Sequence, residues 1–169
     1  TPDQEIIDWA NQFEIPSILT SHSHKRATER AKETLDILAN DGLHYDLVLL
    51  LQGDEPQIFP QDISNLKQAF SDKELEVVNL VFPISDDGLE DPNVVKVALD
   101  KNLTIHFFSR SHIPHDCVSG YRQLGMIGLT KKALNNYVSL LPTSLEKVES
   151  IDMMRLIEND LLIQGVLST

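Results

Sequence analysis

Two carboxylates and an amide follow a short apolar run in the first third of the chain. The run Leu47–Leu51 is long enough for one strand, and Gln52, Gly53, Asp54 and Glu55 come directly after it. In open α/β sheets, ligands bind at the carboxyl ends of the strands. Carboxylate oxygens there suit Mg²⁺, which proteins usually hold together with the phosphates of a substrate. The alternative interpretation is a polar strand-to-helix turn in which Asp54 or Glu55 caps the following helix.

The surrounding pattern predicts the elements that position this turn. A continuous apolar run such as Leu47–Leu51 suits a strand that helices cover on both faces. Apolar residues at helical spacing precede the run up to Asn40, and Ile63, Leu66 and Phe70 continue the spacing after it. This alternation predicts a mostly parallel, Rossmann-like sheet flanked by helices, in one α/β domain over residues 1–169.

The second half of the chain adds a different unit. Val94–Leu99 and Leu103–Ser109 flank three turn residues, which predicts an inserted antiparallel β-hairpin over residues 94–109. After it, Leu124–Leu129 is typical of a strand, Leu145–Ile157 of one helix, and Leu161–Val166 of a last strand.

Composition limits the classes of partner. The formal net charge of −12 argues against a general nucleic-acid or acidic-membrane surface, and the sequence contains no transmembrane run. Cys117 is the only cysteine, so no intrachain disulfide can form. That usage fits a reducing compartment, and we predict a cytoplasmic location.

Seven segments follow one another along nearly the whole chain. They are TPDQEI at the start, H-x-x-x-T-E-R at His24–Arg30, LLQGDEP at Leu50–Pro56, DPNVVKVALD at Asp91–Asp100, FFSRSHIP at Phe107–Pro114, LGMIGL at Leu124–Leu129 and SLEKVE at Ser144–Glu149. In this order they resemble the CMP-Kdo synthetases, the 3-deoxy-manno-octulosonate cytidylyltransferases of lipopolysaccharide synthesis.

This resemblance implies a nucleotidyltransferase fold and a magnesium-dependent reaction. CTP and a Kdo-like acid sugar would give the CMP-sugar and pyrophosphate, with Mg²⁺ as the cofactor. It also implies a homodimer formed through the hairpin at residues 94–109. Five apolar side chains of the hairpin supply more apolar surface than one hairpin buries alone: Val94, Val95, Val97, Phe107 and Phe108.

Individual residues inherit expected roles from the resemblance. Asp54 matches the metal-binding aspartate and is the expected catalytic residue. Gln52 and Arg110 match sugar-side residues, and a guanidinium suits a carboxylate because its paired N–H groups meet both oxygens. Thr28 and Arg30 fall in the segment that contacts the nucleotide. From the residues alone, Arg30 is equally compatible with a helix surface charge.

The sequence departs from the family pattern in the nucleotide segment and at three sugar-side positions. Arg26 and Ala27 replace a Ser-Gly pair, and Arg26 adds a cation that a triphosphate could use. Gln123 stands where the family has a histidine. Asp152 and Met153 stand where the family has a sugar-side Glu-Gln pair, so Gln123 and Asp152 are expected sugar-binding residues. These changes predict a modified octulosonate with an added amine, another acid sugar, or a diverged paralogue.

Two family segments have no counterpart in this sequence. They are a basic loop resembling I-P-A-R-x-x-S-x-R-x-P-x-K and a G-x-D-T-x-x-D-L segment with a second metal carboxylate. We therefore expect the sequence to be part of a longer protein and to be inactive alone. The alternatives are a non-catalytic homologue that acts in dimerisation or regulation, and a nucleotide-sugar glycosyltransferase, which a D-x-D motif would favour.

Overall fold

The computed structural model describes residues 1–85 and 87–168, and within them one six-stranded sheet carries helices on its faces. The strands are β1 Leu47–Leu51, β2 Val77–Ser85, β3 Lys96–Leu99, β4 Thr104–Ser109, β5 Ser119–Thr130 and β6 Ile163–Leu167. The helices are α1 Gln4–Gln12, α2 Ala27–Asn40, α3 Pro60–Ala69, α4 Asp87–Glu90, α5 Lys131–Ser139, α6 Ser144–Glu149 and α7 Met154–Ile157.

The sheet confirms the α/β class but corrects the expected strand directions. The strand order is β1-β5-β2-β6-β4-β3, and only the β2–β6 pair is parallel. Strands β1, β2 and β6 run in one direction, but β5 lies between β1 and β2 in the opposite direction. The sequence could not show this, because a buried apolar run such as Leu124–Leu129 looks the same in either direction.

Strand β1 is half-buried, so the prediction of a strand covered on both faces was wrong. It lies at one end of the strand order, where β5 is its only partner among the described residues. Leu51 at its end is 48% exposed. The strands with buried residues in succession are β2, over Val77–Val81, and β5, over Leu124–Leu129.

The hairpin prediction is confirmed, because β3 and β4 pair in antiparallel register around the turn at residues 100–103. The hairpin is also part of the main sheet, since β3 pairs with β5 and β4 pairs with β6. Val97 and Phe108 are buried in the core of the chain itself. Their apolar surface is therefore no argument for dimerisation, which stays a prediction.

The helix predicted over Leu145–Ile157 is broken in two. Ser150 follows α6 in the left-handed conformation, with φ of 57°, and α7 begins only at Met154. A helix end leaves carbonyl groups without intrahelical partners. Here those carbonyls accept hydrogen bonds from arginine side chains, which favour the negative end of a helix.

Two apolar clusters hold helices against the two faces of the sheet. The larger includes Leu35 of α2, Tyr137 of α5 and Met154 of α7, and the smaller includes Leu66 of α3. No helix among the described residues is long and apolar enough to cross a membrane.

Candidate active site

The strand-end turn, residues Gln52–Glu55, is fixed to strand β5 through Gly125. The Gln52 amide N–H donates to the Gly125 carbonyl over 2.8 Å, and the Gly125 N–H donates to Glu55 Oε1 over 2.9 Å. A Cβ at Gly125 would lie 2.8 Å from Glu55 Cγ and 3.0 Å from Gln52 Cβ. Only glycine fits beneath the turn without displacing it. The sequence signal for Gly125 was a glycine inside a strand pattern, which marks close approach of another segment.

Asp54 is the free carboxylate of this turn. Its side chain is exposed and has no hydrogen-bond or ion-pair partner among residues 1–85 and 87–168. Glu55 is bound to Gly125, and at the start of α3 it is Asp62 that accepts from the Phe59 N–H, over 3.4 Å. The alternative in which Asp54 or Glu55 caps the helix is therefore not observed.

The donor set near Asp54 is small. Among the described residues, no group of three or more His, Cys, Asp or Glu side chains could hold a metal ion. One exposed carboxylate fits Mg²⁺ that keeps several waters and is also held by substrate phosphates, which is the common arrangement for this ion.

Thr28 and Asp152 form one buried pair. The Thr28 hydroxyl donates to Asp152 Oδ2 over 2.7 Å, and the two residues are 124 positions apart in the sequence. Thr28 is fully buried and Asp152 is 9% exposed. Burial raises the pKa of the Asp152 carboxyl, although the Thr28 hydrogen bond and the Arg26 charge oppose this effect. The structure thus brings together one residue predicted for the nucleotide and one predicted for the sugar.

Arg26 belongs to a set of paired charges that we call the Glu146 network: Arg26, Glu29, Glu146 and Arg155. Arg155 meets Glu146 in two parallel bonds of 2.8 Å, through Nε and Nη2, and both side chains are buried. Arg26 Nε donates to Glu146 Oε1 over 3.1 Å. Burial alone would raise the pKa of Glu146, but the hydrogen bonds and charge of Arg155 outweigh it and the pKa is lowered.

Arg155 also contacts an aromatic ring. Its guanidinium carbon lies 4.2 Å from the centre of the Tyr137 ring, within the range of a cation–π interaction. Burial raises the pKa of the Tyr137 phenol, whose hydroxyl has no partner in the described structure. Arg155 Nη2 also donates to Glu29 Oε1 of α2 over 3.4 Å, so the Glu146 network joins α2, α6 and α7, and the contact with Tyr137 extends it to α5.

Arg30 lines a groove between α2 and β1 with a volume of about 910 Å³. The groove ends at Gln52 and Gly53 of the strand-end turn. Arg30 Nη1 donates to Thr20 Oγ1 over 2.6 Å and to the Ser21 carbonyl over 2.9 Å. These bonds hold the guanidinium against the loop that precedes α2.

Arg110 is exposed, and its guanidinium is held by backbone carbonyls alone. Nε donates to the Glu149 carbonyl over 2.9 Å and Nη1 to the Pro92 carbonyl over 3.1 Å. None of the ion pairs found within the described part of the chain includes Arg110. Its positive charge is therefore available to an anion.

Gln123 belongs to a different set of contacts, on strand β5. Its amide Nε2 donates to Asn79 Oδ1 over 2.6 Å, and the Asn79 amide donates in turn to backbone carbonyls, among them those of Leu124 and Met126. Met153 is fully buried in the larger apolar cluster. The predicted roles of Gln123 and Asp152 toward a sugar stay predictions.

Comparison with known proteins places these elements in one family. The family model described as cytidylyltransferase matches residues 1–164. A 3-deoxy-manno-octulosonate cytidylyltransferase of Chlorobium limicola is 34% identical over 178 residues, covering 100% of this chain and 70% of the relative. The protein of the same description from Acidobacterium capsulatum is 31% identical over 164 residues, covering 94% of this chain and 65% of the relative.

A solved structure agrees with the sequence relatives. It is a CMP:2-keto-3-deoxy-manno-octonic acid synthetase in complex with CTP, with a TM-score of 0.86 and 27% identity. The match covers 98% of this chain and 68% of that chain, so this chain spans about two thirds of the length of the proteins it resembles. The chain belongs to the cytidylyltransferase family of nucleotidyltransferase enzymes.

Proposed function

We propose that the protein joins CTP to a Kdo-type acid sugar and releases pyrophosphate. The anomeric hydroxyl oxygen of the sugar attacks the α-phosphorus of CTP, the bond from that phosphorus to the bridging oxygen breaks with its electron pair going to pyrophosphate, and the hydroxyl proton passes to solvent. The observation that carries the proposal is the free Asp54 carboxylate at the end of β1, within a chain that matches cytidylyltransferases throughout.

Asp54 would hold Mg²⁺ in this reaction, together with waters and phosphate oxygens. The bound ion would offset the charge of the phosphates, which is the main electrostatic requirement of phosphoryl chemistry. The protein itself holds the Asp54 carboxylate in place, because Gly125 fixes Gln52 and Glu55 on either side of it. Holding reacting groups in place accounts for a large share of the rate enhancement in such reactions.

Arg110 would bind the sugar carboxylate. Its guanidinium is exposed and unpaired by any carboxylate in the described structure, and three of its five N–H donors remain after the bonds to Glu149 and Pro92. Asp152 is only 9% exposed and its Oδ2 already accepts from Thr28, so an amine of the sugar could reach its other oxygen only if the packing around it opened. We therefore propose an unmodified 3-deoxy-octulosonate type of sugar rather than an amino sugar.

The test uses the protein as its gene encodes it, with CTP, Kdo and Mg²⁺. We expect release of pyrophosphate and formation of the CMP-sugar, both abolished when a chelator removes the divalent ion. An 8-amino analogue of Kdo should be used no better than Kdo itself. Failure to bind CTP in a folded protein would contradict the proposal and favour the non-catalytic homologue.

Location and assembly remain part of the proposal. A cytoplasmic homodimer is our expectation, with the hairpin at residues 94–109 near the interface. Support for the dimer comes from family resemblance alone, because Val97 and Phe108 are buried within the chain. Light scattering at micromolar concentration tests it, and a monomer would contradict it.

A further inference from the structure

Lys96 is a buried cation that bonds to backbone carbonyls. It is the first residue of β3 and is fully buried. Its ammonium donates to the Asp91 carbonyl over 2.7 Å and to the Arg110 carbonyl over 2.6 Å. No ion pair found among residues 1–85 and 87–168 includes it. Because burying a charge is costly, these two carbonyls and the nearby charges of Asp91, Glu90 and Glu149 offset part of that cost.

Glu149 makes a second set of contacts with Arg110. Its carboxylate accepts from the Arg110 backbone N–H over 2.9 Å and from the Ser109 hydroxyl over 3.1 Å. Its own carbonyl accepts from Arg110 Nε over 2.9 Å. The carboxylate thus binds the backbone of Arg110 and forms no ion pair with its guanidinium in the described structure.

The same contacts orient the Arg110 side chain. Lys96 fixes the Asp91 carbonyl, and the next carbonyl along the chain, that of Pro92, accepts from Arg110 Nη1 over 3.1 Å. Bonds at Nε and Nη1 together fix the plane of the guanidinium. Nη2 and the second N–H of Nη1 remain, and these two groups can meet both oxygens of a carboxylate.

We propose that Lys96 and Glu149 are positioning residues that hold Arg110 ready for the carboxylate of the acid sugar. This inference rests on the proposed function, in which Arg110 binds that carboxylate. A side chain fixed before binding loses less conformational entropy when the ligand arrives, so the affinity for the sugar rises. Lys96 and Glu149 themselves do not touch the sugar.

Matched variants test the proposal by steady-state kinetics on the protein as its gene encodes it. Glu149→Gln and Lys96→Met remove the positioning charges, while Glu74→Gln and Lys73→Met remove the same charges from exposed residues. We expect the KM for Kdo to rise about tenfold in the first pair, since a displaced binding group costs at least that much. The KM for CTP should change less than about twofold, and the exposed controls should match wild type.

An Arg110→Ala background shows whether the effect passes through Arg110. There, Glu149→Gln should raise the KM for Kdo no further, because the positioned group is gone. An equal further rise would overturn the proposal, and so would a parallel rise in the KM for CTP, which indicates general loosening of the fold.

A second measurement is independent of turnover. The Nε–H of Arg110 should exchange with solvent slowly in wild type and faster in Glu149→Gln, as followed by ¹⁵N NMR of arginine side chains. Unchanged exchange would overturn the positioning role. If wild type used no acid sugar, the proposed function would fail, and the exchange rates would still decide whether Glu149 holds Arg110.

Discussion

The Glu146 network and the strand-end turn both carry charged residues in family-like segments, but only the turn leaves a charge without a partner. In the network, Glu146 accepts from Arg26 and Arg155, and its residual exposure is 1%. In the turn, Asp54 is exposed and unpaired within the described residues. The difference separates residues that stabilise the fold from residues that can bind a ligand.

This distinction changes how the predicted nucleotide residues are interpreted. A guanidinium that already bonds to a buried carboxylate has part of its charge offset, and moving it toward a phosphate would leave that carboxylate less compensated. Arg26 is such a residue, since it donates to Glu146 and to two carbonyls at the end of α6. Arg110 donates to carbonyls alone and keeps its charge for an anion.

Removing Arg155, the central cation of the Glu146 network, should produce the largest change in the free energy of unfolding. In Arg155→Met, Glu146 stays buried with Arg26 as its remaining cation, so we expect the free energy of unfolding to fall by about 3–5 kcal/mol. Urea denaturation followed by circular dichroism measures this. Lys147→Met, an exposed change in the same region, should alter stability by less than about 0.5 kcal/mol. A loss below about 1 kcal/mol in Arg155→Met would mean that the network adds little to the fold.

At the strand-end turn, we expect a substitution to change activity and to leave stability unchanged. In Asp54→Asn, we expect turnover of CTP and Kdo to fall by on the order of 10²-fold, the scale for losing a charge-stabilising group. Stability should be unchanged, because the Asp54 side chain has no partner in the described structure. Asp41→Asn removes an exposed carboxylate elsewhere and serves as the control for both measurements. Full activity in Asp54→Asn would remove this residue from the mechanism.

Sequence patterns predicted the exposed strand-end turn better than the buried Glu146 network. Asp54 was found because an apolar run followed by a polar turn is a local pattern. The partners of Arg26 and Thr28 lie more than a hundred positions away, and no local pattern reports them. The break at Ser150 was also missed, since the apolar spacing continues across it.

The sequence also predicted the α/β class of the sheet correctly and the directions of its strands wrongly, because strand pairing is not a local property. Periodicity reports which faces of a strand are buried, but the neighbour and direction of a strand depend on the whole chain. Strand β1 shows the limit, because an uninterrupted apolar run turned out to be half-buried. Gly125 carried a readable signal, but which segment lies over it could be seen only in the fold.

Gly125 offers a way to disturb the turn without removing a functional group. In Gly125→Ala, the added Cβ meets Glu55 and Gln52 at 3.0 Å or less, so one of these segments must shift. We expect a loss of about 1–3 kcal/mol in the free energy of unfolding, together with lower turnover because Asp54 moves with the turn. Gly53→Ala is the matched control for stability, since a Cβ there meets nothing within 4 Å. Equal stability of the two variants would contradict the close packing at Gly125.

The smallest effect on stability should come from Asp152, at the border of the buried region, and its size depends on pH. Burial raises the pKa of this carboxyl above its ordinary value of 3.8, so the ionised form is less favourable in the folded than in the unfolded chain. Asp152 therefore contributes less to stability as pH rises from below 3.8 through the raised folded pKa. Asn at this position does not ionise, and its carbonyl oxygen can still accept the Thr28 hydroxyl.

Asp152→Asn should thus gain stability relative to wild type as pH increases, with the gain levelling off above the folded pKa and vanishing below the ordinary one. Urea denaturation of both proteins across this pH range gives the difference in their free energy of unfolding. The other titrating groups are the same in both proteins, so their contributions cancel in this difference. Asp41→Asn, at an exposed position, is the control for removing one carboxylate from the chain. A wild type that becomes the more stable protein at high pH would show that Arg26 and Thr28 favour the ionised carboxylate more than burial disfavours it. Asp152 would then belong with the paired charges of the Glu146 network.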